Sequence, residues 1–257
     1  MREKSKERAD YIDIAKGIGI IFVIIGHSKI DENLYNFIYA FHMPLFFIIS
    51  GYLYDSEKWK NLGFMTLINK RFKAYIIPYF VLCFINLFIN IPYEFIKNIR
   101  GKELLVSTLR HIWYIFYSTS SAKTSPNCSP LWFLTCIFLA NIYIYFIFKI
   151  KDKNIRIMIL ILATALCIFI NKYVYLTTTL PTLPWHFDSA LLGAVFMYIG
   201  YEIKKYNLLL DKSINMWGVI AAIIVGVYAI ILNGPVNMNG PKVSNPILFY
   251  VGSIFIS

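Results

Sequence analysis

Charge is scarce in this chain. Only 15% of its 257 residues are Asp, Glu, Lys or Arg, against about 25% in soluble domains. Acidic residues are the scarcer kind: 14, against 25 Lys and Arg, for a formal charge of +11. A soluble fold of this length needs more polar surface to cover itself, so the shortage excludes a cytosolic enzyme of ordinary type. The 58% hydrophobic content excludes a disordered chain. Cysteine gives no scaffold either. Cys83, Cys128, Cys136 and Cys167 form no C-x-x-C and no paired histidine spacing, so neither a disulfide framework nor a metal site is expected. Three of the four lie in apolar runs, where a thiol packs as a small hydrophobe. Internal repeats and low-complexity tracts are missing. So is a cleavable-signal pattern, because the first apolar run holds Asp13 and Lys16 and lacks an A-x-A site. The basic excess falls in short clusters between apolar runs, which is the habit of loops facing the cytoplasm; no nucleic-acid partner is expected.

What is present is a series of apolar runs, several near the roughly 20 residues that cross a bilayer. They cover Tyr11 to Ile25 (reaching His27), Leu34 to Tyr54, Ala74 to Tyr93, Leu131 to Phe148 and Ile157 to Tyr175, the last interrupted by Asn171 and Lys172. Phe187 to Ile203, Ile214 to Leu232 and a segment from Pro246 onward complete the set. The mean hydropathy is +0.59. The pattern predicts an all-α, polytopic transmembrane helix bundle of about seven or eight spans, one membrane domain over residues 1–257. The final run is still apolar at Ser257. It is expected either to be short and re-entrant or to open a set of closing helices that the chain lacks.

Loop charge sets the orientation. Arg2, Lys4, Lys6 and Arg8 precede the first run; Lys58, Lys60, Lys70, Arg71 and Lys73 follow the second; Lys149, Lys151, Lys153 and Arg156 follow the fourth; Lys204, Lys205 and Lys212 follow the sixth. If every run crosses, all four clusters share one side, taken as cytoplasmic, with the N-terminus there. Lys97, Arg100, Lys102 and Arg110 resist this pattern and fall on the other side. Leu104 to Tyr117 reads as an amphipathic stretch at the interface, with His111 on its surface.

Polar groups inside spans are costly, so each needs a reason. Asp13 and Lys16 are three residues apart and can pair on one helix face. Lys16 and His27 are eleven apart, three turns plus about 20°, so they share a face about 16 Å apart along the axis. Either Lys16 snorkels to the interface and His27 is an interfacial histidine, or the pair marks a site with His27 deeper than Lys16. His42, in Phe41-His42-Met43-Pro44, reads equally as a helix–helix hydrogen bond or as part of the site. Pro44 removes a backbone donor, and the carbonyl it frees is expected to line a cavity. Ser50 is read as a packing residue. Lys70-Arg71-Phe72-Lys73 reads as a membrane anchor or anionic-lipid patch, or as a dock for phosphates. Trp132-Phe133 and Trp185-His186-Phe187 sit at span ends, where aromatics form belts, while Asp188 requires a partner.

Asp13-Ile-Ala-Lys16-Gly17 through Gly26-His27 resembles the first helix of the acyltransferase 3 family, multi-spanning membrane O-acyltransferases. Phe41-His42-Met43-Pro44-Leu45-Phe46-Phe47 through Ser50-Gly51-Tyr52 resembles its second helix. Lys70-Arg71-Phe72-Lys73 with Pro78-Tyr79 is similar to its basic loop and third helix. Weaker similarities are Pro130 to Leu134 and Phe196 to Tyr201. Lys16 stands where the family typically has arginine, which resembles the fucose 4-O-acetylase-like branch. The family's second basic motif has two arginines three apart; here Lys70 and Lys73 hold that spacing and Arg71 is followed by Ala74.

The resemblance implies transfer of an acetyl or other acyl group from cytoplasmic acyl-coenzyme A, with acetyl-CoA as donor, to a hydroxyl of an envelope glycan or lipid-linked sugar. It implies catalytic roles for His27, Lys16, Asp13 and His42, and coenzyme A binding by Lys70, Arg71 and Lys73. No metal is expected. The partners implied are the cell-membrane bilayer, acyl-CoA and the glycan acceptor. The residues fit: histidine titrates near working pH and suits a general base. The coenzyme A arm is expected to run from Lys16 past Gly17 and Gly19 toward His27. Two other readings compete: a transporter or substrate-translocating module, since Pro-broken helices with midplane polar groups also mark transport paths, and a membrane scaffold in which those groups serve packing.

Overall fold

The computed structural model describes residues 10–118, 129–174, 183–208, 215–240 and 243–257. Arg2, Lys4, Lys6, Arg8, Cys128, Tyr175, Lys212 and Ile214, named above, lie outside the described residues. Every regular element among the described residues is helical. The helices are α1 (Asp10–Gly26), α2 (Glu32–Tyr52), α3 (Ser56–Leu62), α4 (Phe64–Arg71), α5 (Ile77–Ile96), α6 (Gly101–Tyr117), α7 (Trp132–Lys149), α8 (Lys153–Phe169), α9 (Phe187–Lys205), α10 (Met216–Asn233) and α11 (Pro246–Ile256). Among them, five continuous helical stretches are long and apolar enough to cross a membrane: Glu32–Tyr52, Phe64–Ile96, Trp132–Lys149, Lys153–Tyr173 and Met216–Asn233. Residues such as Ile24, Phe88, Ile161 and Ile231 leave more than half of their surface uncovered by protein, as lipid-facing side chains do.

Every expected apolar run is helical over most of its length, but the third and fifth begin a turn or more earlier than expected. The third run extends back through α4 to Phe64, giving 33 residues, or about 50 Å. Its middle is a π-turn over Phe72–Ile76, where the Ile77 N–H bonds the Phe72 carbonyl. Pro78 supplies no N–H at the next position, so the regular ladder cannot pass and the helix widens. α8 starts at Lys153, capped by the Asp152 carboxylate on the Asn154 and Ile155 N–H groups. Asn171 and Lys172, read as an interruption, lie in a second π-turn that continues the same helix.

The chain gathers into two compact units, residues 1–53 with 199–236 and 243–257, and residues 54–198 with 237–242. In the first, α1 and α2 form a hairpin. The buried residues of α1 are Ile12, Gly19 and Gly26, seven apart, which returns to within about 20° of one face. A Cβ at Gly19 would meet Phe46 at 2.9 Å, and one at Gly26 would meet Ile38 at 3.2 Å, so the glycines let the two backbones close. Gly200 of α9 lies on α2 so tightly that a Cβ would overlap the Ile48 carbonyl. α10 and α11 cross through Gly226 and Gly252, where a Cβ would meet Ile256 at 3.0 Å and Ile230 at 2.7 Å.

α2 runs unbroken through Pro44. Pro44 has no N–H for the Ala40 carbonyl one turn back. The expectation that this carbonyl lines a cavity is corrected: it accepts from the Ser253 hydroxyl of α11 at 2.6 Å, and Ser253 is fully buried. In lipid an unpaired carbonyl has no water to turn to, so the pairing ties α11 to α2.

In the second unit, Tyr54 stacks on Phe148 (centroids 5.5 Å apart) and Phe148 on Tyr198 (5.8 Å). Tyr79, Cys83, Leu87 and Ile115 form a further core. The stretch expected at the interface lies in α6, which packs on α5: the Tyr79 hydroxyl donates to the Ile115 carbonyl at 2.7 Å, and the Ser107 hydroxyl to Glu94 at 2.6 Å. His111, expected at the surface, is largely covered and lies 3.8 Å from Glu94. The belt assignment of Trp132 and His186 is also corrected. Both are buried, their rings 5.1 Å apart, and Asp188 and Ser189 beside them are fully buried. Trp185 and His186 both hold left-handed backbone (φ 55° and 54°), which costs a non-glycine residue on the order of 1 kcal/mol. The Trp185 indole donates to the Phe116 carbonyl at 2.8 Å and steadies that turn.

Two predictions follow from these cores. Ser253→Ala should cost about 1 kcal/mol of stability in detergent. In a Pro44→Ala background, where residue 44 can donate to Ala40, that cost should fall to near zero; a full double-mutant cycle of melting curves measures it. Burial pulls the His186 imidazole down to about 4, against the pull of the Ser118 and Asn239 backbone. Its depressed value means the unfolded chain takes up a proton that the folded chain refuses as pH falls from about 6.5 toward 4. Stability should therefore drop across that window by on the order of 3 kcal/mol. His186→Asn should flatten this slope in pH-dependent melting.

Candidate functional site

The first unit presents polar groups at both ends of α1. At the N-terminal end the Lys16 ammonium lies 3.3 Å from the Asp13 carboxylate, the i,i+3 pair the spacing predicts. Both side chains stay partly open, 40% and 35% exposed, so Lys16 keeps donors for another anion. Beside them the Tyr11 and Tyr52 hydroxyls share a hydrogen bond of 2.8 Å, and the Lys204 ammonium sits 5.7 Å over the Tyr52 ring. The sequence marks Lys204 only as a member of a basic cluster on the side taken as cytoplasmic. Its approach to Tyr52, 152 positions away in the chain, has no local signal.

At the other end, α1 closes at Gly26 and His27 follows at once, exposed. α1 is continuous from Lys16 to Gly26, so the offset of about 16 Å along the axis holds. His27 is thus at the helix end. The Tyr39 ring of α2 lies between two imidazoles, with centroids 6.2 Å from His27 and 4.9 Å from His42. Tyr35 stacks on the outer side of Tyr39 at 4.0 Å. Gly26 makes this possible, since a Cβ there would lie 3.3 Å from the Tyr39 ring.

His42 is 2% exposed, and its Nδ1 lies 2.7 Å from the Ile38 carbonyl. A carbonyl only accepts, so Nδ1 carries the proton and Nε2 is the basic nitrogen. The hydrogen bond stays within α2, which corrects the helix–helix alternative. The expected path past Gly17 and Gly19 is corrected in part. Gly19 is filled by Phe46 and Leu45, while nothing stands within 4 Å of a Cβ at Gly17.

In the second unit three cations, two of them from the basic run, gather at one ring. Trp59 of α3 has Lys58 at 5.8 Å, Lys70 at 5.9 Å and Arg71 at 5.2 Å from its centroid, and Arg71 lies also 5.9 Å from Tyr75. The rings hold Arg71 by its face, as cation–π geometry favours, and its buried Nε has no hydrogen-bond partner. Lys70 and Lys73 are exposed. Lys73 belongs to the π-turn, so the spacing of the two lysines includes the widened backbone. The two exposed ammonium groups of this run are charges of the kind that suit a phosphate.

The profile of the acyltransferase domain family, acyltransferase 3, matches residues 9–257. No curated protein and no solved structure matches. The match takes in both ends of α1, the Tyr39 and His42 positions and the basic run around Trp59, set in a bundle of apolar helices; the chain belongs to the acyltransferase 3 family of membrane acyltransferases.

Proposed function

We propose that this membrane acyltransferase moves an acetyl group from acetyl-coenzyme A, entering from the cytoplasmic side of the cell membrane where the N-terminus also lies, to a hydroxyl of an envelope glycan or lipid-linked sugar. The observation that carries the reading is the placement of His27 at the open end of α1, backed by Tyr39, at the far end of the helix from the Lys16–Asp13 pair. His27 takes the proton of the acceptor hydroxyl as its oxygen attacks the thioester carbonyl. The C–S bond breaks, the coenzyme A thiolate leaves and gains a proton, and the acetyl ester remains on the sugar. Lys16, steadied by Asp13, offers its remaining N–H donors to negative charge on the donor. Tyr39 fixes the plane of approach to His27. Lys70, Arg71 and Lys73 hold the phosphates of coenzyme A.

The transport reading gains no support at Pro44. Broken helices of transport paths expose backbone carbonyls to the substrate, and here the freed carbonyl is occupied by Ser253.

His27→Ala should reduce acetyl transfer by 10²-fold or more, the range for a lost general base, while acetyl-CoA binding persists. A variant that keeps the parent rate would pass the base role to His42, whose Nε2 is the accepting nitrogen. Lys70→Gln with Lys73→Gln should raise the KM for acetyl-CoA about tenfold with kcat little changed, since these groups meet phosphates far from the reacting bond. Arg71 is left intact in this test because Trp59 and Tyr75 pack on it. An unchanged KM in folded protein would return the loop to a membrane anchor.

A further inference from the structure

The turn between α5 and α6 concentrates cations that neither the core nor the acyl-transfer site uses. Lys97 and Arg100 lie on aromatic faces, 4.5 Å over Tyr93 and 4.7 Å over Phe95. Lys102 and Arg110 instead line a cleft of about 470 Å³, with Ile99, Val106, Ser107 and Glu103 as the rest of its wall. Neither cation forms an ion pair among the described residues. Glu103, the one carboxylate of the wall, also makes none. Glu94 is held by Ser107 and lies beside His111.

The cleft is amphipathic in a definite way. Lys102, Val106 and Arg110 form an i,i+4 row, so the two cations flank an apolar residue on one face of α6. Leu105, Leu109 and Trp113 continue along the helix, each more than half exposed. An apolar stripe beside a pair of uncompensated cations matches an amphiphile with an anionic head: the fork of Arg110 and the point charge of Lys102 suit phosphate oxygens, and the stripe suits an acyl or prenyl chain. On the orientation read from loop charge, these cations stand on the side that loops otherwise leave poor in Lys and Arg, where an anchor to the cytoplasmic leaflet is no explanation.

We propose that Lys102 and Arg110 bind the phosphate group of a membrane amphiphile in this cleft. The ligand chemistry is shared by anionic phospholipids and lipid-linked sugar phosphates. The inference is independent of the acyl-transfer reading and is tested by binding alone.

The experiment is native mass spectrometry of the full chain released from detergent, titrated separately with phosphatidylglycerol, a polyprenyl phosphate and phosphatidylcholine, with inorganic phosphate as competitor. Each basic side chain near an anionic lipid contributes on the order of fivefold in affinity. Lys102→Gln with Arg110→Gln should therefore weaken binding of at least one anionic amphiphile about twentyfold. Lys151→Gln with Lys153→Gln, which removes the same charge elsewhere, should change it less than twofold. Glu103→Gln removes the opposing carboxylate and should tighten binding severalfold, a gain that misfolding does not mimic. Phosphatidylglycerol bound as tightly as polyprenyl phosphate identifies a lipid-headgroup site; preference for polyprenyl phosphate identifies a lipid-linked carrier. Competition by inorganic phosphate at millimolar concentration identifies the head as the recognised part. Equal losses in the two double variants, no gain with Glu103→Gln, or equal retention of phosphatidylcholine overturns the proposal.

Discussion

The geometry of the first unit depends on one carbonyl. Pro44 takes the N–H away from Ala40 in the middle of a helix that has no water to compensate. Ser253, 213 positions later, donates to that carbonyl at 2.6 Å. The bond needs α11 to approach α2 closely, and α11 in turn leans on α10 through Gly226 and Gly252. With its orphan satisfied, α2 stays a single rod through Pro44. Ile38, Tyr39 and His42 all lie on the two turns before that point. The imidazole of His42 and the ring of Tyr39 are therefore oriented by a helix that would otherwise be free to bend there.

The same economy governs α1. Its buried seam is Ile12, Gly19 and Gly26. Counting about 100° per residue, Lys16 and His27 stand roughly 60° and 80° round the helix from Gly19. They are beside the contact with α2 and outside it. Small residues in the seam let the helices close, and the flank then receives a cation at one end and an imidazole at the other without burying either. His27 keeps its access because Gly26 gives Tyr39 a place beneath it. A site built this way is positioned by backbone contact between rods, which holds side chains more tightly than loops do.

Much of this was legible in the sequence because a bilayer leaves few choices for a backbone. Apolar runs become helices, and the Asp13–Lys16 pair and the face shared by Lys16 and His27 follow from helical periodicity alone. What was not legible rests on contacts between distant segments. Nothing local to Pro44 names Ser253, and nothing local to Lys204 names Tyr52. Trp132 and His186 read as belt residues because span ends usually carry aromatics, yet they face each other inside the core. α6 read as interfacial because its charged and apolar residues alternate with helical period. That period reports that one face is buried and leaves open whether lipid or α5 buries it. The π-turn at Phe72–Ile76 was implicit in Pro78, but its effect on Lys73 depends on how the lost hydrogen bond is absorbed.

The lysine at position 16 can be understood from its partner. An arginine there would meet the Asp13 carboxylate with a planar fork, two parallel bonds that use the fork's matched donors. Lys16 makes one contact of 3.3 Å and remains 40% exposed. An ammonium held by a single contact turns its other N–H groups outward at little cost, so charge is retained where fixed planar recognition is given up. Lys204, facing the same end from α9 over Tyr52, adds a second compact charge. Two point charges of this kind suit a flexible anion through their position and number. Among the described residues of this unit no arginine supplies that planar match, whereas in the other unit the guanidinium of Arg71 is clasped by Trp59 and Tyr75.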